Sequence, residues 1–314
     1  MIKIFDFTSK HIKQASQIAA HNYARECEFV PTLPSADSIP DLTSYAENQL
    51  GVAALDGDEM VGFLCCVSPF KNAFRSTDAT GVFSPMGANG AVGKHRSEIY
   101  ARMYESAGAK WAGAGASSHA VCLYAHDREA QEQFFQYGFG MRCVDAIRGM
   151  DEIDAPPCEG YDFAELTAGE YPQLLPLCHM LDAHMASSPT FILRPSDTEE
   201  SLAKKADQDH AIYFAASENG RMIAFIRAGF DGETFVCGTP GYMHVNGAFC
   251  MPDHRGKGIH RKLLSLLIQK LRAQGYERLG VDFESINPAA HRFWPKHFDA
   301  YTASVVRRID EHAI

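Results

Sequence analysis

Residues 255–261 read Arg-Gly-Lys-Gly-Ile-His-Arg, basic and titratable side chains threaded with two glycines. Such a run can hold an anion if it opens a helix, because the first helical N–H groups lack internal partners and the macrodipole adds partial positive charge there. Gly256 and Gly258 let the backbone turn its amides outward without side-chain obstruction, while Arg255, Lys257, His260 and Arg261 add charge. A diphosphate is the expected guest. Two residues nearby could move protons: His244, just before this run, and Glu284, at the end of the next apolar segment. Each also has an ordinary reading, His244 as a hydrogen-bonded strand residue and Glu284 as half of an ion pair. Cys250 invites an acyl-cysteine reading, but no His or Asp stands at useful spacing, so its thiol is expected to pack. His179 and His184 are five residues apart and do not align on one helix face; no metal site is expected. Gly87-Ala88-Asn89-Gly90-Ala91-Val92-Gly93-Lys94-His95 imitates a nucleotide-binding P-loop. That motif needs glycine where Ala88 stands and a hydroxyl where His95 stands, so magnesium-nucleotide chemistry is excluded; Gly87, Gly90 and Gly93 as a different anion nest is the lesser reading.

The elements that must position these groups are legible. Residues 242–251 have the pattern of a strand that Pro252-Asp253 ends, with Tyr242, His244, Asn246 and Ala248 expected on one face. Residues 259–273 form an amphipathic helix, with Leu263, Leu264, Leu267, Ile268 and Leu271 as its apolar stripe. The basic loop therefore sits between a strand and a helix start.

The chain also repeats itself. The hairpin pattern at 52–64, turning at Asp56-Gly57, recurs at 214–226, turning at Asn219-Gly220, and the trio Asp127, Ala130, Phe134 recurs as Asn287, Ala290, Trp294, each about 160 residues on. Matched pairs in preserved order imply two copies of one domain: 1–150, a linker over 151–160 carrying Pro156-Pro157, and 161–314. Strands and helices alternate only in part, so each copy is expected to be an α/β (α+β) domain, a mixed, mostly antiparallel sheet flanked by helices.

Arg255-Gly256-Lys257-Gly258-Ile259-His260 resembles the Arg/Gln-x-x-Gly-x-Gly/Ala signature of the GNAT family of N-acetyltransferases, with His260 departing from the final small residue. Asn287-Pro288-Ala289-Ala290-His291-Arg292-Phe293-Trp294 resembles the family's second signature, Asn-x-x-Ala followed by an aromatic pair. Both lie within 242–308, and the repeat extends the likeness to a tandem two-domain member. The resemblance implies acetyl-CoA as cosubstrate, held by the second copy: pyrophosphate on Arg255 to Arg261, pantetheine along Asn287, Ala290, Phe293 and Trp294. It also implies thioester contact near Phe249, Cys250 and Met251, beside a splay between two strands. Direct transfer to an amine in a ternary complex would follow, with His244 and Glu284 as base candidates. Many members carry Tyr where Trp294 stands, so the acid that meets the departing thiolate is unassigned. The first copy lacks the cradle pattern and reads as degenerate, its loop longer than that of the second. A non-catalytic acyl-CoA-binding or sensor protein is the alternative. Acceptor specificity would lie in Cys27 to Leu50, Pro69 to Ala79 and His184 to Asp209.

The composition suits this reading. A net charge of -10 argues against nucleic acid or anionic membrane as partner and leaves a small-molecule or peptide amine. Nine cysteines without regular spacing read as reduced thiols of a cytoplasmic protein. No stretch approaches the roughly 18 apolar residues of a membrane span. Oligomeric state is left open.

Overall fold

The computed structural model describes residues 1–35, 40–75, 78–208 and 211–313; positions 36–39, 76–77 and 209 of the three acceptor segments lie outside the described residues. Its elements are, in order, β1 (Ile2–Asp6), α1 (Ile12–Phe29), α2 (Thr43–Glu47), β2 (Val52–Asp56), β3 (Glu59–Leu64), β4 (Gly81–Ser84), β5 (Asn89–Ala91), α3 (Arg96–Gly113), β6 (Ser118–Tyr124), α4 (Arg128–Gln136) and β7 (Gly140–Gly149). There follow β8 (Asp162–Glu165), α5 (Leu175–Ala186), α6 (Glu199–Gln208), β9 (Ile212–Glu218), β10 (Arg221–Gly229), β11 (Tyr242–Cys250), α7 (Ile259–Ala273), β12 (Arg278–Glu284), α8 (Pro288–Phe293), β13 (Asp299–Ala300) and β14 (Thr302–Arg308). Among the described residues no helix is long and apolar enough to cross a membrane.

Two compact units result, and they do not follow chain order. Unit 1 holds Met1–Asp145, Glu284–Ile286 and Ala300–Ile314; unit 2 holds Ala146–Phe283 and Asn287–Asp299. The seam at 151–160 thus falls inside unit 2, and β14, from the far end of the chain, belongs to unit 1.

In unit 1, β1, β2, β3 and β5 form an antiparallel sheet, while β4, β6, β14 and the start of β7 run side by side. Strand alternation sorts the core. Val52, Ala54 and Leu64 face the α3 side chains Ile99, Met103 and Trp111, whereas Ala53 and Phe63 face Ala15, Ile18 and Ala19 of α1. β14 lies antiparallel to β6 along its whole length, Thr302 opposite Tyr124 through Arg308 opposite Ser118, with Val305 fully buried.

In unit 2 the order is β7, β12, β11, β10, β9, β8, with only β11 and β12 parallel among its registered pairs. The β9–β10 hairpin turns through Asn219 at φ 51° and Gly220 at φ 78°, the two left-handed residues that match strand twist. Leu174, Leu177 and Cys178 pack on Tyr213, Ala215, Phe225 and Phe249 from one face. The predicted stripe of α7 is buried throughout, and the helix runs over the expected span.

The glycine run of the first copy is divided by the fold. Asn89–Ala91 is a strand paired with β3, leaving only Val92–His95 before α3. The first copy's connection is therefore shorter than the Met251–Gly258 stretch, not longer, and Gly87, Gly90 and Gly93 form no common nest: the middle one is committed to the sheet.

Candidate active site

The loop after β11 is shaped by its own sequence. Pro252 opens a single 3-10 turn to His254, Arg255 is extended, and Gly256 and Gly258 adopt φ 79° and 82°. Gly258 caps α7 in the left-handed region, and the first intrahelical bond runs from Lys262 N to Gly258 O (3.0 Å). The amides of Ile259, His260 and Arg261 precede it and have no helical acceptor, the geometry that suits an anion. A Cβ on Gly258 would lie 3.1 Å from Pro156 Cγ, and Cys158 Sγ reaches Lys257 O at 3.7 Å. The seam residues thus wall the cradle. Lys257 Nζ donates to Tyr161 Oη (3.1 Å), whose hydroxyl meets His254 Nδ1 (3.2 Å). Arg255 Nε donates to Cys250 O (3.0 Å) and its guanidinium lies 5.7 Å from the Phe249 ring centre.

His260 departs from the sequence expectation. Its ring packs 5.6 Å from that of Phe293, its Nε2 is buried without a hydrogen-bond partner, and burial lowers its pKa. A neutral, inward ring adds no charge to the cradle. It joins the two signature segments instead.

Beside the loop the strands part. β11 and β12 pair from Tyr242–Arg278 to Val245–Val281, after which β11 stays with β10 to Cys250. A bulge at Asn246 marks the division, since Arg227 pairs Gly247 while Ala228 pairs Val245. Both polar ends of the Asn246 amide are buried without partners there. Met251 N donates to Ile223 O (2.9 Å). Strand alternation then aims the Phe249 N–H toward β10 as well and that of Cys250 into the splay. Of the three backbone donors expected at this point, Cys250 is the one so directed. The bulge also corrects the expected strand face: His244 pairs Gly229, on the side of Phe225, Arg227 and Phe249, so Tyr242 and His244 do not share a face with Ala248.

Across the splay, Asn287 caps α8, its Oδ1 accepting from Ala289 N (3.1 Å) and from His184 Nε2 (3.3 Å), its Nδ2 reaching Met185 Sδ (3.6 Å). Ala290 is half-buried, and Trp294 is buried edge-on to Phe298 and Phe293. Trp294 carries no proton-donating hydroxyl.

His244 is fully buried in a chain of polar groups. Nε2 meets Asp282 Oδ1 at 2.9 Å, Nδ1 meets the Tyr242 hydroxyl at 3.0 Å, and Cys237 Sγ lies 3.4 Å from that hydroxyl and 3.9 Å from Nδ1. Burial opposes charge on the imidazole, but hydrogen bonds to Asp282 and Cys237 outweigh it and raise the pKa to about 10. Asp282 is two-fifths exposed and connects the ring to solvent. Neither Asp282 nor Cys237 stood out in the sequence. The available signal was an acid inside the otherwise apolar run Leu279 to Phe283. Two glycines make the cluster possible: a Cβ on Gly280 would sit 1.7 Å from Tyr242 Oη, and one on Gly232 2.3 Å from Cys237 Sγ. Gly280→Ala should therefore displace the Tyr242 ring and release Nδ1. The expected result is a shifted imidazole titration by NMR and a Tm lower by several degrees; an unchanged titration would show that Tyr242 does not hold the ring.

Glu284 has a different setting. It belongs to unit 1 and is paired with Arg142, Nε to Oε2 at 2.5 Å, with both side chains largely buried. Both of its carboxylate oxygens are engaged by that guanidinium. His179 bonds Asp197 O and His184 bonds Asn287, and no metal-binding cluster of His, Cys, Asp or Glu occurs among the described residues. The Cys250 thiol is raised to about 11 by burial and donates to Met251 O.

The corresponding place in unit 1 is built differently. Arg96, the first residue of α3, donates from NH1 to Ala91 O and forms an ion pair with Asp127, the cap of α4. Its guanidinium fills the ground beside the end of β5, where unit 2 keeps an open splay.

Comparison with known proteins agrees with this geometry. Residues 179–299 match the model of the Acetyltransferase (GNAT) family. An acetyltransferase of Yersinia pestis (strain Pestoides F) is 30% identical over 106 residues, 33% of this chain and 70% of the relative. An acetyltransferase of Pectobacterium atrosepticum shows the same identity and coverage. Among solved structures, a GCN5-related N-acetyltransferase from Sphaerobacter thermophilus superposes over 98% of this chain and 95% of its own, with a TM-score of 0.58 at 12% identity. That last likeness concerns the fold.

Proposed function

Because this chain belongs to the GNAT family of acetyltransferases, we propose that unit 2 binds acetyl-CoA and passes its acetyl group directly to an amine held in the same complex. The splay after Val245 and Val281, set against a helix headed by a left-handed glycine, carries this reading. The residues present fit the coenzyme. Unpaired amides at Ile259 to Arg261, with Arg255, Lys257 and Arg261, suit a diphosphate; the buried, unsatisfied Asn246 amide and the Asn287 helix suit the amide-bearing pantetheine arm. When bound, acetyl-CoA supplies the acetyl group already activated as a thioester.

The chain's own groups divide the remaining work. The Cys250 N–H, aimed into the splay, is the donor for the acyl oxygen. Once its own proton has left through Asp282, His244 accepts the proton that the acceptor ammonium must lose. Glu284 has no part in this scheme, since Arg142 holds it. A neutral, buried Cys250 thiol speaks for direct transfer over an acyl-enzyme.

The test is acetyl-CoA turnover over a panel of small amines and peptides, read by free-thiol release. Tight coenzyme binding with no turnover on any acceptor would overturn the transfer reading in favour of a binding or sensor protein. Because Arg96 fills the unit 1 splay, calorimetry should give one coenzyme per chain; two equivalents would refute the assignment of unit 1 as a non-binding copy.

A further inference from the structure

Residues 152–165 do more than join the two copies. Glu152 pairs with Arg272 near the end of α7 (3.3 Å), Ile153 O accepts from Ser265 Oγ at its middle (3.2 Å), and Pro156 closes on Gly258 at its start. The segment thus runs back along the helix to the cradle. There Gly160, at φ 79°, reverses the chain, and Tyr161 N donates to Cys158 O (3.4 Å). β8 then leads away, with Glu165 meeting Lys270 at 2.9 Å. This path sets the Tyr161 side chain against the loop between β11 and α7.

Two basic side chains meet at its hydroxyl. Lys257 Nζ donates to it (3.1 Å), His254 Nδ1 lies 3.2 Å from it, and the His254 ring stands edge-on to the Tyr161 ring at 5.8 Å. An ammonium can only donate, so the hydroxyl lone pairs serve Lys257 and its single proton is left for His254. The consequence is electrostatic. A lysine held by a carboxylate is already neutralised, whereas one held by a phenol keeps its charge for another partner. Arg255 is held in the same manner, by the Cys250 carbonyl. Neither cation forms an ion pair with a carboxylate among the described residues. Lys257 is exposed, and an exposed lysine left unheld would lose rotamer freedom on binding, at a cost in affinity.

We infer that Tyr161 is a positioning residue, which presents the Lys257 ammonium, ordered and with its full charge, to the diphosphate of the coenzyme. The inference rests on the coenzyme reading of unit 2 and adds to it a residue outside both signature segments.

The test measures dissociation constants of the full chain by calorimetry, with CoA and with dephospho-CoA, which keeps the diphosphate but lacks the phosphate on the ribose. Tyr161→Phe keeps the ring and removes the hydroxyl; it should weaken both ligands alike, about five-fold. Lys257→Met should weaken both about ten-fold. Adding Tyr161→Phe to Lys257→Met should cost nothing more, because the hydroxyl acts only through the ammonium. A merely structural role, in which Tyr161 tightens the segment along α7, predicts additive losses instead. Thermal denaturation checks that each variant is folded. Unchanged affinity in Tyr161→Phe, additive losses in the double variant, or a loss confined to CoA would each overturn the inference while the coenzyme reading stands. No CoA binding by the wild-type chain would overturn both.

Discussion

Replacing His244 by Gln should lower kcat about 100-fold or more while leaving the affinity for coenzyme unchanged. The substitution keeps a donor for Asp282 and removes the titrating ring. Wild-type kcat/KM should climb with pH toward a limb near 10, because the raised imidazole must lose its proton before it can accept one. Asp282→Asn is the sharper variant. Without the carboxylate that holds the charge, the limb should move to lower pH, an effect that a merely structural role for Asp282 does not predict. The same linkage affects stability. His244 has a folded pKa above its ordinary 6.5, so its contribution is fully present below about 6.5 and is lost as pH rises through about 10. Thermal denaturation should show Tm falling across that window in wild type and much less in H244Q. A limb that persists in H244Q would remove His244 from the proton path.

The second large effect concerns Gly258. Its φ of 82° is costly for a residue with a β-branched side chain, and its Cβ would crowd Pro156 Cγ at 3.1 Å. Gly258→Val must therefore shift the backbone that aims the helix-start amides, at a cost of about 1–2 kcal/mol in strain. Dissociation constants for acetyl-CoA and CoA should rise about ten-fold or more, with kcat at saturating coenzyme nearly preserved. Gly256→Ala is the companion. At φ 79° it has open space around its Cβ, so it tests conformation without contact and should weaken binding less. Unchanged coenzyme affinity in both variants, by calorimetry on folded protein, would refute the cradle.

These two experiments separate the proposed coenzyme cradle from the proposed proton path, and the residues of each were legible to different degrees. Local signals carried the cradle. Pro252 stops a strand, Gly256 and Gly258 allow left-handed turns, and leucines at 263, 264, 267, 268 and 271 specify a helix, all within reach of one another along the chain. The hairpins were equally local, since Asn219-Gly220 fixes its turn wherever it occurs. The inward turn of His260 was not legible, because the Phe293 ring that it meets comes from a helix more than 30 residues on.

By itself, then, the sequence determined the β9–β10 hairpin, the strand-loop-helix arrangement around Gly256 and Gly258, and the pairing of Asn287 with a helix start, because each depends on backbone preferences and periodicity within a few residues. Tertiary structure decided the rest. Parallel register between β11 and β12 set Asp282 beside His244, a bulge at Asn246 changed which side chains share a strand face, and Arg142 paired with Glu284. The last strand, β14, joined unit 1 because a strand pairs with the ladder it meets in space, not with the copy that encodes it. Proton chemistry depends on ångström-scale partners drawn from separate strands, and one residue of register is enough to replace them all.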